Sequence, residues 1–172
     1  MNAEWEKRAK RFAALHVPGE PLVLFNAWDA GSAKTIEGAG ANAVATGSWS
    51  VAAAQGYPDG EKLPLDLAIA NLERIVAAVA LPVTIDLEGG YGDAAASAAR
   101  AKRAGAVGCN LEDRVVGGDG LYPAERQAAR LAQVRDAAGP SFFLNARIDL
   151  FLQAPRESHD EARLGEALER AR

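Results

Sequence analysis

Asp86 and Glu88 are the residues whose types and spacing point most directly to chemistry. They close the apolar run Val83-Thr84-Ile85 and are followed by Gly89-Gly90-Tyr91-Gly92-Asp93. The stretch reads as a buried strand that turns through glycines into a helix capped by Asp93. Residues two apart on a strand face the same side. Two carboxylates placed so, at the end of an apolar strand, repel each other and are costly to desolvate. A hard divalent cation offsets both effects, and Mg2+ suits one or two carboxylates completed by waters and substrate oxygens. Solvated turn charges are the alternative reading of such a pair taken alone. Further polar clusters recur along the chain: Asn26 with Asp29, Thr46-Gly47-Ser48, Asn110 to Asp113, and Arg147 with Asp149.

The elements that must position these residues alternate. Trp5, Ala9, Phe12, Ala13 and Leu15 form a helix-period stripe over 3–16, stopped near Pro18. Pro21 to Trp28 reads as a first strand, and Asp29-Ala30-Gly31-Ser32 as the cap of a helix to about Ala39. Asn42 to Thr46 is a second strand, followed by a short helical piece from Gly47 and a loop from Gln55 to Leu63 that carries Asp59. Pro64 opens a helix to about Ala80. Pro82 to Leu87 is the third strand, and the Asp93-capped helix runs to Ala104. Ala106 to Leu111 is a fourth strand, Pro123 to about Ala138 a helix, Ser141 to Ala146 a fifth strand, and Glu157 to Arg172 a last helix. Strands alternating with helices demand parallel pairing, in an open doubly wound sheet or part of a (β/α)8 barrel. Both architectures gather ligands at the carboxyl ends of strands, where every polar cluster here falls. Polar groups on five successive strand ends, rather than at one switch point, favour the barrel.

Composition bounds the partners. Of the 172 residues, 49% are hydrophobic and 24% charged, with a formal charge of −4, so the chain has ample core and no basic footprint for nucleic acid. Cys109 is the single cysteine, which excludes a disulfide framework or a cysteine zinc site within one chain. No apolar run approaches the ~18 residues of a membrane span. Met1 to Leu15 is charged and amphipathic rather than a signal peptide, so a cytoplasmic protein is expected.

Phe25-Asn26-Ala27-Trp28-Asp29, Thr46-Gly47, Gly56-Tyr57-Pro58-Asp59, Asp86-Leu87-Glu88-Gly89-Gly90-Tyr91-Gly92, Asn110-Leu111-Glu112-Asp113 and Asn145-Ala146-Arg147-Ile148-Asp149 occur in one order at one spacing. Over about residues 20–155 this combination resembles the isocitrate lyase/phosphoenolpyruvate mutase superfamily. The resemblance implies a (β/α)8 TIM-type barrel and a Mg2+ ion, with Mn2+ as an alternative. It also implies a small carboxylate or phosphonate substrate of the 2-oxo or 2-hydroxy acid type, and a homo-oligomer, dimer or tetramer. By the same resemblance Asp86 binds the ion, Glu88 and Glu112 hold its waters, and Arg147 grips the substrate. Asp59 matches the family's loop aspartate, Thr46-Gly47-Ser48 its substrate turn, and Asn26 joins the substrate-binding set. The implied reaction makes or breaks a C–C or C–P bond through a pyruvate-enolate-like species, as a lyase, hydrolase or mutase. A non-catalytic binding or assembly homologue on the same scaffold is the alternative.

Two departures qualify the resemblance. Carbon–carbon lyases of the group carry a Lys-Lys/Arg-Cys-Gly-His loop where this chain reads Arg114-Val115-Val116-Gly117-Gly118-Asp119-Gly120-Leu121-Tyr122, so standard isocitrate or methylisocitrate lyase activity is not expected. A barrel needs about 250 residues. The expectation is therefore one barrel domain over 1–172, helix 3–16 then βα units 1–5, incomplete at its C-terminal side. Of the remaining polar and aromatic residues, Asp29 is expected to cap, Asp113 to pair structurally and Cys109 to be buried. His16 and His159 are expected at the surface, Trp49 packed against the barrel mouth, and Tyr57 and Tyr91 either on substrate or in packing.

Overall fold

The computed structural model describes residues 3–172. Helix α1 (Ala3–Ala14) buries Trp5, Ala9 and Phe12 along one stripe. Strands β1 (Phe25–Ala27), β2 (Val44–Thr46), β3 (Val83–Asp86), β4 (Gly108–Glu112) and β5 (Phe143–Arg147) form one sheet in the order β1-β2-β3-β4-β5. All four pairings are parallel. Sequential order without reversal is the progression of a barrel wall, whereas a doubly wound sheet reverses at a switch point. Helices α2 (Ala30–Gly38), α3 (Ser48–Ala54), α4 (Leu65–Ala78), α5 (Ala94–Arg103) and α6 (Ala124–Ala138) make the crossovers. Of these, α2, α4, α5 and α6 touch one another in series, as a single outer layer does. Helix α7 (Glu161–Arg170) follows a single 3-10 turn at Arg156–Ser158.

Alternation along the strands separates core from site. Val83, Ile85, Cys109 and Leu111 are buried in one cluster with Ala98, Ala101 and Val134 of α5 and α6. The opposite face carries Asp86, Asn110 and Asn145 in register, with Glu112 level with Arg147 one step further. At the other end of the strands, α1 closes the sheet. The Trp5 Nε1 donates to the Ala106 carbonyl at 2.9 Å, and Phe12 meets the Phe143 ring edge-on at 5.1 Å. No helix among the described residues is long and apolar enough to cross a membrane.

Several local expectations need correcting. β1 is only Phe25–Ala27, because β2 supplies partners from Val44 to Thr46 and leaves 21–24 without a ladder. The last helix starts at Glu161, where Asp160 accepts from the Arg163 N–H, rather than at Glu157. His16 is exposed, as expected, and its ring also stacks on Phe143 at 4.0 Å and bonds the Phe12 carbonyl. Trp49 is 70% exposed rather than packed. Asp29 does cap α2, in a reciprocal box with Ser32, and Cys109 is buried, its thiol pushed up to about 12 by desolvation.

Candidate active site

The site is assembled where β2 to β5 end. Asp86, last residue of β3, accepts from the Glu88 N–H at 3.1 Å on one oxygen and from the Ser48 N–H at 3.3 Å on the other. Its own N–H donates to the Thr46 hydroxyl at 3.1 Å, so the end of β2 fixes the backbone of the first carboxylate. Arg147, last residue of β5, reaches back across the sheet. One of its nitrogens lies 2.8 Å from Glu112 and 3.7 Å from Asp86, and the other 3.0 Å from Asp149. The guanidinium thus sits among the carboxylates and not merely in a local bridge to Asp149.

Glu88 is buried, and both its oxygens are engaged. The Glu61 N–H donates to one at 2.7 Å and the Tyr91 hydroxyl to the other at 3.1 Å, while Glu61 in turn accepts from the Tyr91 N–H at 2.7 Å. All three residues have left-handed backbone, with φ of 51° at Glu88, 55° at Tyr91 and 58° at Glu61. Non-glycine residues held there store strain of order 1–3 kcal/mol each. The closed triangle of bonds pins the loop after α3 onto the end of β3.

Burial dominates the electrostatics. It pushes the Glu112 carboxyl up to about 7, outweighing the Arg147 guanidinium beside it. Glu88 is raised as well, first by burial, with the negative charge of Asp59 adding to it against the Glu61 bond. Burial works against the charge of Arg147, but Glu112, Asp149 and Asp86 together leave it more basic than usual. Asp113 points away from Glu112, as adjacent strand residues must. It accepts from the Asp149 N–H at 2.8 Å and pairs with Arg170 at 3.3 Å, a structural role.

A cavity of about 330 Å³ opens over this floor, lined by Ser48, Asp59, Glu88, Glu112 and Arg147, with Arg114 and Asp149 at its wall. It brings together five of the residues singled out from the sequence. Thr46 and Asp86 lie instead beside a smaller hollow with Ser48 and Tyr91. Asn26 and Gly47 line neither, although they meet each other: a Cβ at Gly47 would fall 2.8 Å from the Asn26 side-chain nitrogen. Among the described residues, no three or more His, Cys, Asp or Glu side chains are gathered so as to hold an ion together.

Sequence reasoning missed Glu61, Arg130 and the placing of Arg114. Arg130, on α6, donates to the carbonyls of Gly89 and Glu112 and lies 4.2 Å over the Tyr122 ring. It thereby ties the ends of β3 and β4 together. Only the arginine directly after Asp113 leaves any trace in sequence, and it is not specific; the left-handed backbone at Glu61 is visible only in the structure.

Comparison with known proteins agrees with this architecture. The family model for phosphoenolpyruvate phosphomutase matches residues 12–172. A crystal structure from Burkholderia cenocepacia J2315, assigned provisionally as a phosphonomutase, superposes with a TM-score of 0.93 at 49% identity, over 97% of this chain and 69% of that one. The chloroplastic carboxyvinyl-carboxyphosphonate phosphorylmutase of Arabidopsis thaliana is 32% identical over 154 residues, covering 82% of this chain and 45% of its own length. Phosphonopyruvate hydrolase in complex with oxalate and Mg2+ shares the fold, with a TM-score of 0.76 at 22% identity, over 99% of this chain and 60% of that one. The chain spans about half the length of the curated relatives it matches. On its parallel sheet in barrel order and the family match over nearly its whole length, the chain belongs to the phosphoenolpyruvate phosphomutase family.

Proposed function

We propose that this chain carries the metal- and substrate-binding half of a Mg2+-dependent enzyme acting on a small 2-oxo or 2-hydroxy acid at a C–C or C–P bond. The observation that carries the reading is the convergence of Asp86, Glu112 and Arg147 from β3, β4 and β5 at the strand ends. With Glu88, three acidic groups outnumber Arg147 among them and Arg114 at the cavity wall, which favours a further cation.

The donor set fits a hydrated Mg2+ in one mode. Asp86 would contact the ion, and Glu88 and Glu112 would hold its waters, since no three side chains close around a single point. When bound, the ion would supply Lewis acidity to the carboxylate and adjacent carbonyl oxygen of the substrate. The chain's own groups do the rest. Arg147 offers a planar fork to an anionic group, a contact worth roughly 1.5–3 kcal/mol. Ser48 keeps its N–H on Asp86, so the turn after β2 orients the metal carboxylate as well as facing the cavity. Asp59, on the same cavity wall and set in the loop pinned by Glu61, is positioned to take or return a proton at the reacting carbon. With no cysteine or histidine in 114–122, a cysteine-acid cleavage has no donor on that loop.

Hydrolysis of phosphonopyruvate or oxaloacetate therefore fits this site better than isocitrate cleavage. The reading is tested by incubating the protein with phosphonopyruvate, oxaloacetate and 2-methylisocitrate, with Mg2+ and with excess chelator. Chelator-sensitive turnover of either of the first two supports it; metal-independent turnover, or cleavage of 2-methylisocitrate alone, contradicts it.

A further inference from the structure

The cavity holds two guanidinium groups in different states. Arg147 is ion-paired with Glu112, Asp86 and Asp149. Arg114 lines the same cavity, is exposed, and has no ion pair or side-chain hydrogen bond among the described residues. Its backbone is nevertheless fixed. Arg114 bridges Leu121 across the loop, the Val115 N–H bonds the Gly120 carbonyl at 3.0 Å, and the Tyr122 N–H bonds the Asp113 carbonyl at 2.8 Å. The loop base is a short zipped ribbon, and the first side chain beyond Asp113 projects at the cavity wall. Val116 of the same ribbon lines the cavity too, so the ribbon lies along the site rather than away from it.

Arg114 thus places an unpaired guanidinium, on a held backbone, beside an acidic, metal-type site. It is suited to a second anionic group on the same ligand, which it can meet through a bidentate fork. Resting on the function proposed above, we propose that Arg114 is a specificity-determining residue. It selects 2-oxo or 2-hydroxy acids that carry a further carboxylate or phosphonate on C3 over their monoanionic counterparts.

Matched ligands isolate this contact. Lactate and malate share a 2-hydroxy acid head, and malate adds only the distal carboxylate; 3-phosphonolactate replaces that carboxylate by a phosphonate. Binding of each is measured by calorimetry in saturating Mg2+ for the unaltered protein, Arg114→Gln and Arg114→Lys. The expected result is that malate or 3-phosphonolactate binds about 10- to 100-fold more tightly than lactate, the span of one charge-assisted contact. Arg114→Gln should bring that ratio close to one while leaving lactate affinity unchanged, and Arg114→Lys should retain most of it. The larger ratio of the two identifies the distal group as carboxylate or phosphonate. Equal affinity for all three ligands in the unaltered protein, or a ratio that survives Arg114→Gln, overturns the assignment of Arg114 while leaving the metal site standing. Failure of lactate itself to bind in a Mg2+-dependent way overturns both readings together.

Discussion

Glu112 concentrates the site's tension in one side chain. Burial lifts its carboxyl from 4.5 to about 7 even with Arg147 at 2.8 Å. A carboxyl raised on folding binds its proton more tightly in the native state, so its favourable contribution is complete below pH 4.5 and lost as pH rises to 7. Glu88 shifts in the same direction. The metal-free protein is therefore expected to lose on the order of 1–3 kcal/mol between pH 4.5 and 7. Urea midpoints across that range, repeated for Glu112→Gln, check this: the variant should show a flatter profile, and an unchanged slope would contradict it. Tyr91→Phe removes one bond to Glu88 and leaves the Glu61 bond in place. It should cost about 1 kcal/mol and speed proteolytic nicking between residues 56 and 63, since that loop is held partly through Glu88 and Tyr91. At this scale the sequence was informative about type and less so about partner. Asp86 and Glu88 were legible as candidates because paired acidic groups at an apolar strand end are anomalous, whereas Glu112 was chosen over Asp113 through the family resemblance. Glu61 was not legible, because its role depends on bonds to residues 27 and 30 positions away.

Strand ends bring residues together only if the strands keep register, and two features hold β3, β4 and β5 in place. Gly108 lies so close to β5 that a Cβ there would fall 2.5 Å from the Phe143 carbonyl oxygen. Gly108→Ala should therefore cost about 1–3 kcal/mol and disturb the Glu112–Arg147 pairing downstream, read as a lower urea midpoint. Arg130 clamps the other side through the Gly89 and Glu112 carbonyls. Arg130→Met leaves those carbonyls without that donor and should lower stability by about 1–3 kcal/mol. Two caps were readable because capping chemistry is local: Asp29 and Asp93 each accept from an N–H three residues on. The Asp160 cap was missed, and the last helix reads in sequence as starting at Glu157. Strand lengths were not readable, since β1 extends only as far as β2 offers partners. The clamp was also invisible, because Arg130 on an outer helix reaches a carbonyl 41 residues earlier in the chain.

The whole molecule is a wall of five parallel strands with an unpaired flank at β1 and at β5 among the described residues. Phe25 at one flank is 59% exposed and Leu152, beyond the other, 72%. The barrel progression was legible from polar residues on every strand end, but the sequence carried no signal of how far the two flanks stand open. Closure by further βα units remains our proposal for these flanks, and the 172-residue polypeptide by itself is expected to bind an apolar dye such as ANS. What the wall does present is a floor of carboxylates crossed by one guanidinium, and the account stands on that floor holding Mg2+. Calorimetric titration of oxalate, with and without Mg2+, tests this most directly. Oxalate binding is expected to require Mg2+ and to disappear in Asp86→Asn; binding of equal strength without the ion, or undiminished in Asp86→Asn, would rule out a metal site on these carboxylates.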